Sequence, residues 1–225
     1  MALSKVDYNS LNVTAAASKA LKWNSTPNGF ETGDIAGSMV LLTTETASGD
    51  STVTASSSST VTFDSDIDST YKEYQIHIIQ AHCSADNQIL QMGFRDGSTA
   101  YDATKTTTYF ASQHKEDASG GALGYNTDQD QAQATGFLNI SEALGADNDQ
   151  CTNGIIQLFD PSNTTFVKHF IARMPYVHQN DRMMEAYIAG YCNVTAAIDG
   201  VQFKMDSGNI DSGTFKLYGV GPKQS

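Results

Sequence analysis

Charge is scarce in this chain, and most of it has one sign. Charged residues make up 17% of its 225 residues, below the roughly 25% usual for a globular domain. Lys and Arg total 13 against 25 Asp and Glu, a net charge of −12. No run of five basic residues occurs, and an acidic surface repels phosphate, so nucleic acid is not an expected partner. Cysteine is equally sparse. Cys83, Cys151 and Cys192 are odd in number, far apart and without a C-x-x-C, which argues against a disulfide framework or a zinc ribbon and for buried free thiols. The opening MALSKVDYNS has no apolar core of a secretory signal, and the uncharged apolar stretches are strand-length. The expectation is a protein made in a cytoplasm, with no membrane insertion.

Catalytic signatures are also missing. No G-x-x-x-x-G-K, G-x-S-x-G, H-E-x-x-H or helix-opening G-x-G-x-x-G occurs, so the expectation is no enzyme and no cofactor. The histidines are scattered: His77, His82, His114, His169 and His178. His77 and His82 share one expected strand at a spacing of five, which puts them on opposite faces and denies them a shared metal. His169 reads as a hydrogen-bonded sheet residue. The stretch DSDIDS (Asp64, Asp66, Asp68) superficially resembles a calcium loop, but Ser69 and Gln75 stand where Gly and Glu would be required. It reads as an inter-strand turn whose carboxylates bond local backbone, with an irregular ion site the alternative. The sequon at Asn163 is a by-product of an Asn- and Thr-rich composition.

Ser, Thr, Asn, Gly and Ala fill the space that charge leaves, the composition of all-β proteins. Residues 1–37 differ from the rest: little periodicity, one short helical stretch near VTAAASKAL, an Asn28-Gly29 turn, and few large side chains. They read as an extended N-terminal arm that needs another surface, with Tyr8, Leu11, Leu21, Trp23 and Phe30 as its anchors; the alternative is a floppy terminus. Residues 38–225 read as one domain of about ten or eleven short strands. Tyr74, Ile76 and Ile78 alternate with Glu73, Gln75 and His77. Leu90, Met92 and Phe94 repeat the pattern, as do Val201, Phe203 and Met205, then Phe215 and Leu217 near the end. With no amphipathic helix between the strands and no fixed repeat, the expected fold is an antiparallel β-sandwich, jelly-roll-like, with extra edge strands. The segment 113–134, QHKEDASGGALGYNTDQDQAQA, reads as one long loop, exposed or functional, with Tyr125, Asn126 and Asp128 as contact residues.

Several stretches resemble one family. DSDIDSTYKEYQIHIIQAHCSADNQILQMGF, GIIQLFDPSNTTFVKHFIA, the arm LKWNSTPNGFETGDIAGSMVLL and, most closely, the closing AIDGVQFKMDSGNIDSGTFKLYGV are similar to small structural proteins of tailed bacteriophages of marine bacteria and cyanobacteria. The loop CSADN at 83–87 lacks the proline that the family carries there. The resemblance covers most of the chain. It implies a virion component with a jelly-roll-like sandwich, homotrimeric, and no catalytic residues. The expected role is a short tail fibre or receptor-binding appendage held by its arm on a tail adaptor or nozzle, with a host-surface glycan as a further partner. The alternative is a decoration protein on the major capsid protein. A carbohydrate-binding or carbohydrate-active jelly roll is a more distant reading, and a secreted β-sandwich module more distant still. A homotrimer is expected on physical grounds too, since sandwiches sharing a threefold axis bury their edges there.

Overall fold

Apolar side chains at every second position can be buried together only if the chain runs as strands in facing sheets. The computed structural model describes residues 20–23, 30–33, 39–47 and 58–224. Among them every regular element is a strand. The strands are β1 (Ala20–Trp23), β2 (Phe30–Gly33), β3 (Met39–Ala47), β4 (Val61–Phe63), β5 (Glu73–Cys83), β6 (Leu90–Arg95) and β7 (Lys105–Lys115). They continue with β8 (Gly121–Tyr125), β9 (Leu138–Asn139), β10 (Thr152–Phe159), β11 (Lys168–His178), β12 (Arg182–Cys192), β13 (Gly200–Met205) and β14 (Ile210–Val220).

The chain divides into two units, 1–38 and 39–225. In the first, β1 and β2 pair as an antiparallel hairpin. Ala20 and Leu21, expected at the end of a helical stretch, are strand residues instead, because their backbone is paired with Gly33 and Thr32. The rest of that stretch, the Asn28-Gly29 turn, Tyr8 and Leu11 lie outside the described residues.

The second unit is the expected antiparallel sandwich. Its large sheet has eight strands in the order β3-β14-β5-β10-β11-β12-β7-β8, and its small sheet four, β4-β13-β6-β9. The groups β3-β14-β5-β10 and β4-β13-β6-β9 form a jelly roll, in which late strands return to lie between early ones. Two hairpins, β7–β8 and β11–β12, interrupt that winding and both extend the same edge of the large sheet. They are the extra edge strands.

The alternating residues meet between the sheets. Tyr74, Ile76 and Ile78 of the large sheet are buried, as are Leu90, Met92, Phe94, Val201, Phe203 and Met205 of the small one. Phe203 packs on Phe215 across the layers with ring centroids 5.2 Å apart, and Phe94 on Phe170 at 4.8 Å. Each such side chain contributes roughly 1.5–3 kcal/mol by leaving water. Two lysines break the apolar rule. Lys105 and Lys168 flank Cys192 in one cross-strand row and are fully buried. Lys105 Nζ donates to the carbonyls of Ala103 (3.0 Å) and Gly136 (2.7 Å), and Lys168 Nζ to that of Val194. These bonds replace water, while burial holds both ammonium groups below their usual pKa.

Two expectations need correction. The segment 113–134 is not one loop: its first residues finish β7, a short turn follows, and GALGY forms β8 against β7. Pairing on the sheet edge overrides the low strand propensity of glycine there. His77 and His82 do not face opposite ways. A bulge carries Gln80 to φ 51° and shifts the pairing with β10 and β14. Its extra residue reverses the phase, so that Ala81 and Cys83 point inward and both histidines point outward.

The final strand carries its own irregularity. Gly213 has φ +137°, and a Cβ there would stand 2.7 Å from Ala81 Cα on the adjacent β5. Gly213→Val is therefore expected to lower stability by about 2–4 kcal/mol in urea titration. A second expectation concerns acid. His178 is buried at the end of β11, accepting from Asn180 N and facing Arg182. Burial, then the Arg182 charge, pushes its pKa down from 6.5 to about 4. The unfolded chain thus takes up this proton first as pH falls, so stability is lost between pH 6.5 and 4, by roughly 2–3 kcal/mol. Urea midpoints across that window should fall less steeply in His178→Gln than in the native chain.

Candidate docking face on the large sheet

The two sandwich faces that point away from the core differ in chemistry. The small sheet presents Thr62, Gln91, Gln202 and Lys204, as half-polar strands over a core should. The large sheet presents apolar side chains. Leu41 on β3, Ile79 on β5, Ile155 on β10, Ile171 on β11, Met183 on β12, Phe110 on β7 and Leu123 on β8 are each between 39% and 72% exposed. Among the described residues of the sandwich, Phe166 is the large exposed apolar side chain that lies in a loop instead.

Strand register explains the arrangement. One cross-strand row runs Lys216, His77, Ile155, Arg173, Tyr187, Phe110, Tyr125 across seven strands. Tyr187 and Phe110 stack with centroids 4.9 Å apart and planes 5° from parallel, and the Arg173 guanidinium lies 5.4 Å over the Tyr187 ring. Glu185 accepts from Arg173 and, at 2.7 Å, from the Tyr187 hydroxyl. The bond from Arg173 holds the Glu185 carboxyl below the usual range, and Tyr187 adds to the effect. Along this row lies a groove of about 960 Å³ on the sheet surface, lined by its residues from His77 to Phe110. Its charged lining residues, Arg173 and Glu185, neutralise each other. His77, which also lines the groove, is held below its usual pKa by partial burial and by the Lys216 charge.

The residues expected to make contacts lie in three places. Leu21, Trp23 and Phe30 are exposed on the N-terminal hairpin, where Trp23 and Phe30 stack at 4.4 Å. Tyr125 ends β8 and bonds Asp130, and its ring continues the aromatic row of the large sheet. Asn126 closes a turn by accepting from Asp128 N at 3.1 Å and donating to Glu142 at 2.7 Å. Asp128 is exposed in that turn. Asp68 accepts from Thr70 N and the Tyr74 hydroxyl, a local turn bond of the kind expected for DSDIDS. Asp64 instead faces Arg95 at 4.0 Å, and Asp66 accepts from Ser65. Asn163 likewise caps its own turn through Thr165 N and Phe166 N.

Ile155, Ile171, Phe110, Arg173 and Tyr187 were not among the expected contact residues. A signal for them existed. GIIQLF and RMMEAYIAGY place apolar residues at adjacent positions, the pattern of strands covered on both faces. Within the face, Glu185 is already committed to Arg173 and Tyr187. No group of three or more His, Cys, Asp or Glu side chains with metal-ligating geometry occurs among the described residues.

Set against protein-family models, curated proteins and solved structures, the chain matches none.

Cys83 and Cys192 are buried and free, and Cys151 is free but only half-buried, so the expectation of three buried thiols holds for two. Burial pushes the Cys83 thiol up to about 11 and the Cys192 thiol up to about 12. Both stay protonated and slow to alkylate at pH 8, whereas Cys151 is the thiol that a reagent can reach, being only half-buried. Mass spectrometry after iodoacetamide should show one modified cysteine, Cys151, in the native protein and three in urea.

Proposed function

We propose that the chain is a structural component of a tailed-bacteriophage virion: a short tail fibre or receptor-binding appendage, anchored by its N-terminal arm and multimeric, a homotrimer, in place. It works by presenting surface and joining other virion proteins. The observation that carries this reading is the concentration of exposed apolar side chains on one face of one sheet. Patches of that kind belong to proteins that are covered once assembled. The exposed stack of Trp23 and Phe30 on the N-terminal hairpin supports the anchoring role of the arm. The jelly-roll body with its inserted hairpins is a scaffold that exposes edges and loops while its core stays closed. The resemblance of the closing segment and of the arm to phage structural proteins points the same way.

The test locates the polypeptide on intact particles and counts its copies by quantitative mass spectrometry and gold labelling. About a dozen to some tens of copies at one vertex are expected; hundreds over the shell would replace the appendage with a capsid decoration protein. Absence from particles would end the reading. Deleting residues 1–37 is expected to leave a body with native circular dichroism that no longer joins the particle, whereas an unfolded deletion would show that the arm belongs to the core.

A further inference from the structure

We infer that a second copy covers the groove bounded by Ile155, Ile171, Phe110, Met183, Tyr187 and Arg173. The inference rests on the multimer proposed above, and it assigns the contact surface.

Three observations select another copy as the occupant. The first is charge. The chain carries −12, so two copies repel wherever their acidic loops approach, whereas the groove's charges, Arg173 and Glu185, cancel within it. Two acidic molecules meet at such a region without electrostatic penalty, while a basic partner finds no net charge there to pair with.

The second is area. Eight strands spaced by about 4.8 Å, with lengths of up to 11 residues at about 3.3 Å each, make a face on the order of 1,000 Å². A stable interface buries about 800 Å² on each partner. The exposed apolar residues spread over that whole width, from Leu41 on β3 to Leu123 on β8. A small ligand would leave most of them wet. A protein-sized surface covers them.

The third is composition. The groove has aromatic rings, methionine and arginine at its centre and lacks lysine and aspartate among its lining residues, the signature of an interface core. The stack of Arg173, Tyr187 and Phe110 is already fixed by its own contacts, so docking costs little side-chain entropy.

The experiment is sedimentation of the full chain across about a hundredfold dilution, alone and with substitutions. The native chain is expected to sediment as a multimer. Ile155→Asp combined with Ile171→Asp puts carboxylates on the half-exposed centre of the groove and leaves the inward face of both strands untouched. That variant should keep its circular dichroism and sediment as a monomer, with self-association weakened about 100-fold or more. Ile171→Lys is the milder companion should the double variant fail to fold, and it too should weaken assembly. Gln202→Asp on the small sheet is expected to leave the multimer intact.

A native chain that is monomeric at every concentration overturns the inference. So does a multimer that survives the groove substitutions, or one that Gln202→Asp dissolves equally well. A monomer whose groove residues are instead protected by an added glycan also overturns it, in favour of a binding site. These outcomes separate from those of the virion reading: a multimer never found on particles defeats that reading alone, and a monomer found on particles defeats this inference and the proposed multimer.

Discussion

The ladder that holds β14 between β3 and β5 is the constraint from which the rest of the body follows. Ile210–Val220 pairs along most of its length with both neighbours, each of them more than a hundred residues earlier in the chain. Its inward residues, Phe215 and Leu217, then have to meet something, and Phe203 of the small sheet meets Phe215. A late strand inserted between early ones forces the chain to alternate between layers, and that alternation is the jelly roll. The cost is loop closure over long separations, which must be met before the contacts form. Gly213 and the bulge at Gln80 are the local adjustments that let the two backbones lie this close.

Because the jelly roll closes its own core, the inserted hairpins are free to serve another purpose. β7–β8 and β11–β12 widen the large sheet well beyond the four strands that the small sheet can cover. Toward the β8 edge the inward residues become small or exposed, as with Ala122 and Gly124. The outward residues grow larger and more apolar. Widening one sheet without its partner creates a broad outer face that stays exposed among the described residues of the body. A neutral, apolar centre inside a strongly acidic body is the arrangement that lets like-charged molecules approach in one orientation and not in others.

Polar groups inside the core follow the same economy. Lys105 and Lys168 sit in the row of Cys192 and bond backbone carbonyls, so strand ends that would otherwise leave acceptors dry are satisfied. Tyr109 and Tyr176 bring their hydroxyls together at 3.4 Å, and Tyr176 accepts from Glu142 N. Burial raises both phenols far above their ordinary range. These groups cap the apolar layer where loops cross its end.

Period-two alternation was legible wherever one strand face is apolar and the other polar. Tyr74, Ile76 and Ile78, then Val201, Phe203 and Met205, declared both their strands and their inward sides, and from them the all-β sandwich followed. The closing segment declared itself a strand in the same way. Alternation is a local property, carried by residues two apart, and local steric preference is enough to write it. What lay between distant segments was not written there. The bulge that turns His82 to the side of His77 shows only in the pairing of β5 with β10 and β14, strands distant in the sequence. GALGY becomes a strand only because β7 offers it an edge. The apolar outer face depends on register across seven strands, so Ile155, Arg173, Tyr187 and Phe110 become neighbours only when sheet order is decided. Sheet order comes from packing of whole layers, a sum over residues far apart in the chain, and tertiary structure alone settles it.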